Sequence, residues 1–566
     1  MNVKSLIAER IELAIYSVTG QHSSADIQLS TKSEHGDYQA NGIMRIAKAL
    51  KIKPRELAEQ VIAQTEYGDI VESLVVAGPG FINIELKNSF FSELLEKGNL
   101  IKKREKTKTV VIDYSSPNLA KEMHVGHLRS TIIGDAIARI LDCLGYNVIR
   151  QNHVGDWGTQ FGMLIENMEH ENFSSENLAD LETFYRSSKK KFDEDPEFAQ
   201  QARARVVSLQ SGDQLTRNQW LRFINISLSH CREIYERLGV SLSDEDLAPE
   251  SSYNALLPTV IEALNKRGLL EESEGAQCVF LEEFTSSEGD RQPLIVRKSD
   301  GGYLYATTDL AAILHRENLG ADRIIYITDA RQKLHFKQVF AVAKQAGFAK
   351  KIEQMNHFST GAMLASNGRP FKTREGGTIR LSDLLNEAEQ RALNLLKSKG
   401  SELTETEQND LAKAIGIGAV KYADLSKNRN SDYIFDWDNM LALNGNTAPY
   451  MQYAYARIQS IFRQAEVQPD SLSGKINPVA QSERALCKEL IRFQEVLDQV
   501  AAEGFPHYLC VYLYNLSSLF SKFYEELTIL DADKEKQASR LLICERTGSV
   551  LKLGLSLLGI TVLERM

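Results

Sequence analysis

Between Thr109 and Asn152 the chain reads strand, loop, helix, strand, and that order restricts its architecture more than any other feature. Thr109-Val-Val-Ile-Asp-Tyr114 is an apolar, β-branched run, and Gly145-Tyr-Asn-Val-Ile-Arg-Gln-Asn152 is a second. After the loop 115–123, residues His124 to Leu144 carry apolar side chains at helical spacing. Two strands joined through a helix lie parallel, and a parallel sheet needs helices over both faces. A second half follows, with a strand-like run at Asp322-Arg-Ile-Ile-Tyr-Ile-Thr328 and a helical one from Lys333 to Ala346. The expected core is a split α/β nucleotide-binding fold, and the polar stretch near 171–225, with its Lys189-Lys-Lys191 triplet, reads as a helical insertion on its surface.

The two ends have different patterns. Val3 to Ser17 reads as a helix, Asn41 to Ala63 as a helical run split by Pro54, and Ser73 to Leu86 as a hairpin about Gly78-Pro79-Gly80. This small α+β module closes at the basic linker Lys102-Lys-Arg-Glu-Lys-Thr-Lys108. From Ser401 the pattern is all helical, including Ala485 to Val500, Pro506 to Leu527 and Ser539 to Leu558, which predicts a helix bundle. The expected domains are 1–108 (α+β), 109–385 (α/β with insertion), 386–445 (helical connector) and 446–566 (helix bundle).

Charge and cysteine usage narrow the function. Of 566 residues, 66 are Lys or Arg and 76 Asp or Glu, a net charge of −10. Residues 109–445 hold 38 basic and 48 acidic residues, whereas 1–108 hold 15 and 14, and 446–566 hold 13 and 14. An acidic middle disfavours wholesale wrapping of nucleic acid there and suits a cationic ligand. The six cysteines form no CxxC pair, so neither a structural zinc nor a disulfide framework is expected. No apolar run reaches the length of a membrane span, and the expectation is a cytoplasmic protein with no membrane partner.

His124-Val-Gly-His127, at the start of the first helix, carries the chemistry. A helix N-terminus collects free amide N–H groups and a positive dipole end, which suits phosphate. Two imidazoles there can donate hydrogen bonds to an α-phosphate whose charge rises in the transition state, and Gly126 leaves room for a nucleotide against the backbone. A carboxylate nucleophile is already ionised at neutral pH, so adenylyl transfer needs positioning and charge stabilisation rather than a general base. In Tyr305-Ala-Thr-Thr-Asp309 an aromatic ring and an acid stand one helical turn apart. A planar guanidinium is best read by such a carboxylate through paired hydrogen bonds.

The run Ser115-Ser-Pro-Asn-Leu-Ala-Lys-Glu-Met-His-Val-Gly-His-Leu-Arg-Ser-Thr131, followed by Asn152-His-Val-Gly-Asp-Trp-Gly-Thr-Gln-Phe-Gly162, closely resembles the class I aminoacyl-tRNA synthetases, and among them the arginyl-tRNA synthetases. Glu34-His-Gly-Asp-Tyr-Gln-Ala-Asn41, Gly78-Pro-Gly-Phe-Ile-Asn83, Thr447-Ala-Pro-Tyr-Met-Gln-Tyr-Ala-Tyr-Ala-Arg-Ile458 and the terminal Arg565-Met566 extend the resemblance over essentially the whole chain. It implies a Rossmann-type catalytic domain with a tRNA-contacting N-terminal domain and a helical anticodon-binding domain. The implied activity is ATP-dependent formation of arginyl-adenylate and transfer of the arginyl group to tRNA(Arg), with Mg2+ accompanying ATP.

The resemblance also assigns residues. His124, Gly126 and His127 would bind ATP, the two histidines acting on its α-phosphate. The family's second lysine-bearing loop is degenerate here, Gly368-Arg-Pro-Phe-Lys-Thr-Arg-Glu-Gly-Gly377, where Lys372 alone matches; Lys121, before the first histidine, would compensate. Asn118, Glu250, Tyr305, Asp309 and Gln332 fall on the family's arginine pocket. Tyr450, Gln452, Tyr453 and Arg457 are expected to touch tRNA, and the chain is expected to work as a monomer that activates arginine only with tRNA bound. Two alternatives stay open from sequence: another class I synthetase, and a non-catalytic tRNA-binding paralogue.

Overall fold

A computed structural model describes residues 2–30, 35–98, 100–119, 121–171, 178–299, 301–365, 367–369, 379–398 and 403–566. The chain forms two compact units: Arg104–Leu441 with Leu557–Ile560, and Met1–Lys103 with Ala442–Ser556 and Thr561–Met566.

The first of these is built on a parallel sheet of β1 (Thr109–Asp113), β2 (Asn147–Gln151), β3 (Arg323–Tyr326) and β4 (Gln354–His357), in the order β4-β3-β1-β2. β1 pairs with β2 from Thr109↔Asn147 to Asp113↔Gln151 and with β3 from Val110↔Arg323 to Asp113↔Tyr326. Val110, Val111 and Ile112 are wholly buried, as expected of a central strand covered on both faces. The helix α1 (Val125–Cys143) connects β1 to β2, and α2 (Tyr305–Asn318) and α3 (Lys333–Gln345) flank β3. Ile324, Tyr326, Leu310, Ile313, Phe336 and Val339 share one buried cluster, so the first turns of α2 and α3 are fixed against the sheet.

The insertion is helical: Thr159–Glu171, Leu178–Glu194, Pro196–Ser211 and Gln214–Leu238, with Met163, Phe198 and Ala202 as a small core. An antiparallel three-stranded sheet, Leu270–Ser273, Ala276–Thr285 and Arg291–Arg297, precedes α2 and was not expected from the sequence. Its signal was Glu274-Gly275, both with positive φ, a two-residue hairpin turn. Residues 401 onward are not purely helical either, since Tyr433–Ile434 pairs in parallel with Met363–Leu364.

The second unit joins both ends of the chain. A four-stranded antiparallel sheet, ordered Ile27–Leu29, Tyr38–Ala40, Phe81–Leu86, Val71–Ala77, carries the N-terminal helices, and Pro54 starts the helix Pro54–Gln64. The expected helix over 485–500 is broken at Arg492 into Gln481–Ile491 and Phe493–Glu503. Asp37 links the two ends: its carboxylate accepts from Leu86 N–H at 2.8 Å and Arg484 Nη2 at 3.1 Å, and lies 3.3 Å from Lys488 Nζ.

Candidate active site

From β1 the chain proceeds to β2 on one side, while β3 lies on the other, so the carboxyl ends of β1 and β3 flank a topological switch point. The loop leaving β1 is strained there. Ser115 and Ser116 both take left-handed backbone angles, φ 71° and 49°, unusual for consecutive non-glycine residues. Their surroundings hold them so: Ser115 Oγ meets Tyr235 Oη at 2.7 Å and accepts from Thr131 at 2.9 Å, and Ser116 N–H donates to Asn152 Oδ1 at 3.0 Å. The loop then runs beside 152–156. Leu119 N–H donates to Gly155 O at 2.9 Å, and Asn118 Oδ1 lies 2.1 Å from where a Cβ on residue 155 would stand, so a side chain there would displace the Asn118 amide.

His124 is the N-cap of α1, its Nδ1 accepting from Gly126 N–H at 3.1 Å, and His127 Nδ1 accepts from His124 N–H at 3.1 Å. Each ring thus satisfies one orphan amide of the helix terminus. Gly126 is required by the first of these rings, because a Cβ there would come within 2.8 Å of His124 Cε1. Burial, followed by the neighbouring Lys121, lowers the pKa of His124. Burial, followed by His124, takes that of His127 down to about 3. Both imidazoles are therefore neutral near pH 7, and with Nδ1 accepting, the proton resides on Nε2. The ring centroids are 3.9 Å apart. The result is a pair of uncharged N–H donors at a helix N-terminus.

Backbone pairing brings residues 379–381, which follow the degenerate loop in sequence, to this terminus. Val125 N–H donates to Ile379 O at 3.1 Å, and Leu381 N–H to Met123 O at 2.9 Å. Lys372, Gly376 and Gly377 lie outside the described residues. Lys121 is described: its Nζ stands 4.8 Å from the ring centre of Tyr185, on the insertion helix Leu178–Glu194, and Tyr185 itself packs against the Met163–Phe198–Ala202 core.

The remaining sequence-selected residues fall into a chain of neighbours. Tyr305 is the first residue of α2 and 65% exposed; burial of its remainder and the charge of Glu250 raise its pKa. Asp309, one turn on, is mostly buried and accepts from His335 Nε2 at 2.6 Å. Gln332 is exposed and caps α3, one turn before His335. Glu250 starts a short 3-10 helix beside Val154, where its N–H donates to Val154 O at 3.1 Å. Burial, then the charges of Asp156 and Asp309, push its carboxyl up to about 8.

Two participants were missed from sequence. Asp156, buried and held by Ser251 N–H at 2.9 Å and Ser251 Oγ at 2.5 Å, lies within the quoted Asn152–Gly162 motif, which was its available signal. His335 carried no signal beyond its helical spacing from Gln332.

The expected tRNA-contacting residues lie on the helix Ala448–Gln464 of the other unit. Arg457 sits over the rings of Tyr453 (4.8 Å) and Tyr524 (5.2 Å), which are 38% and 39% exposed. Tyr450 Oη is 3.3 Å from Ser521 Oγ. Gln452 does not belong with them: it is fully buried and donates to Thr561 O at 2.8 Å, holding the C-terminal segment.

None of the six cysteines forms a disulfide, no cluster of three or more metal-ligating side chains occurs among the described residues, and no described helix is long and apolar enough to cross a membrane.

Residues 90–437 match the catalytic domain of class I (R) tRNA synthetases, 451–566 the DALR anticodon binding domain, and 1–86 the arginyl tRNA synthetase N terminal domain. The chain is 51% identical over 579 residues to an arginine–tRNA ligase of Marinomonas sp. (strain MWYL1), and 52% identical over 578 residues to that of Hahella chejuensis (strain KCTC 2396), with 100% of both chains covered in each case. Among solved structures it is similar to an arginyl-tRNA synthetase from Plasmodium falciparum, at 30% identity and a TM-score of 0.86, covering 100% of this chain and 99% of that one.

Proposed function

The chain belongs to the class I arginyl-tRNA synthetase family, joining L-arginine to tRNA with ATP, and from that premise we propose how its residues divide the work. Arginine places its guanidinium on Asp309, with Tyr305 and Gln332 beside it, and its ammonium toward Glu250 and Asn118. Its carboxylate attacks the α-phosphorus of ATP, the bond to the β-phosphate breaks, and pyrophosphate leaves. His124 and His127 donate from Nε2 to the α-phosphate oxygens as charge accumulates there, while Lys121 and Lys372 attend the departing pyrophosphate. A ribose hydroxyl at the tRNA 3′ end then attacks the arginyl carbonyl, and AMP leaves. Mg2+ enters with ATP, and no side chain is assigned to it.

The observation that carries this reading is the capping of α1 by both histidine Nδ1 atoms, which leaves two neutral Nε2–H donors at the helix N-terminus of a unit that also gathers the carboxyls of Glu250, Asp156 and Asp309. Neutral donors gain strength as the transition state charges, without binding the ground state as an ion would. We take the chain to work as a monomer, with the cytoplasm its expected compartment. Tyr453 and Arg457, with Tyr450, offer an aromatic and cationic surface to tRNA bases, and the N-terminal module adds further tRNA contact.

The direct test is arginine-dependent ATP–pyrophosphate exchange with and without tRNA. Absence of exchange with every amino acid in the presence of total tRNA would overturn the catalytic reading. His124→Ala is expected to slow adenylate formation by about 10²–10³, the scale of one lost oxyanion-type donor.

A further inference from the structure

Asp309 is the acid expected to select the guanidinium, yet a carboxylate selects a planar cation well only if its plane is held. The hydrogen bond from His335 Nε2 to Asp309 Oδ2, 2.6 Å, meets that need from a different helix. His335 is the third residue of α3 and Asp309 the fifth of α2, so two helix N-termini meet through this contact. The base of α3 is packed in place by the neighbouring Phe336, which is buried with its ring 4.6 Å from Tyr326 and 4.8 Å from His357. An ionised carboxylate offers about four lone-pair sites, so one donor on Oδ2 leaves enough for a forked guanidinium.

We propose that His335 is a positioning residue of the arginine pocket, fixing the Asp309 carboxylate in the orientation that a guanidinium requires. This rests on the assignment of Asp309 to the guanidinium. Without the imidazole, Asp309 turns about its side-chain torsions, and the paired hydrogen bonds to arginine are lost even though the charge remains. The assignment gives a task to a histidine outside the His124–His127 motif, and it makes recognition of arginine the joint product of α2 and α3.

The test uses the full chain with tRNA, measuring KM for arginine, KM for ATP and kcat in four variants: His335→Leu, which keeps the volume and removes the donor; His335→Gln, which keeps a donor; Asp309→Asn; and the Asp309→Asn/His335→Leu double variant. Thermal melts accompany the kinetics, and should the leucine variant melt early, His335→Phe takes its place. His335→Leu is expected to raise KM for arginine about tenfold, with KM for ATP and kcat within about twofold, because one hydrogen bond to a charged group is lost. Glutamine should restore most of that loss, and in the Asp309→Asn background the leucine change should add nothing. An unchanged or lowered KM for arginine in His335→Leu, an equal rise in KM for ATP, or additive effects in the double variant would overturn the proposal. A normal KM for arginine in Asp309→Asn removes the pocket assignment itself, whereas a defective Asp309→Asn beside a normal His335→Leu removes only the role of His335.

Discussion

Glu250, proposed to face the arginine ammonium, offers a pH-dependent test of that assignment. Burial and the charges of Asp156 and Asp309 raise it to about 8, so in the free protein it is largely protonated at pH 7. A cationic ligand favours the ionised form, and arginine binding is therefore expected to release a proton and to tighten as pH rises from about 6 to 8. Titration calorimetry in buffers of different ionisation enthalpy checks this; Glu250→Gln should abolish the proton release. His127 has the opposite linkage: its folded pKa, about 3, lies below the ordinary 6.5, so the unfolded chain takes up the proton first. Its contribution to stability is present above about pH 6.5 and is lost as pH falls toward 3. A third residue works from beneath the site. Arg316, wholly buried on α2, donates to Asp113 Oδ2 at 2.5 Å and Gln151 Oε1 at 2.6 Å, tying α2 to the ends of β1 and β2. Arg316→Met should cost about 3–5 kcal/mol in unfolding free energy by stranding the Asp113 charge, read from the denaturation of the α/β unit. The histidine motif could be picked out in the sequence because its helix-start pattern is local, whereas Asp309 was singled out by the family resemblance. The hydrogen bonds of Asp156 to Ser251 and of His335 to Asp309 join residues more than twenty positions apart, and no spacing rule reaches that far.

At the scale of elements, strands and helices with one period throughout could be read directly. β1, α1, β2 and α3 appear within a few residues of their expected bounds, because each buries a continuous apolar face. The sheet formed by Leu270–Ser273, Ala276–Thr285 and Arg291–Arg297 was not legible: its strands alternate irregularly and two register shifts interrupt the second pairing. The insertion was legible as helix but not as a participant. Its Tyr185, backed by the small core of Phe198 and Met163, holds its ring under Lys121 Nζ. If Lys121 serves the pyrophosphate, Tyr185→Leu should slow adenylate formation about two- to fivefold, the worth of one exposed cation–π contact, with Tyr185→Phe near normal. Single-turnover kinetics with and without a Lys121→Met change test the coupling; equal rates for the leucine and native chains would leave the insertion without this role.

Across the whole molecule, the sequence divided into consecutive segments while the folded chain does not. Residues 1–103 and 442–556 share one compact unit, and Asp37, within the 34–41 run that resembles the family's N-terminal domain, is committed to Arg484, Lys488 and the Leu86 amide. Asp37→Ala should lower the stability of that unit by about 1–3 kcal/mol, seen as a fall in its thermal transition; an unmoved transition would make the link idle. The charge pattern also gains a location. The acidic excess of 109–445 includes Asp156, Glu250 and Asp309, three carboxylates whose charges interact in the folded α/β unit. By itself the sequence determined the parallel α/β core, the helix bundle and the helix that starts at the histidine motif, because hydrophobic period is written in adjacent residues. Only the tertiary structure decided which acids gather with Asp309, which nitrogen of each histidine is left to donate, and which distant side chain bonds Asp309, because those depend on distances between residues far apart in the chain.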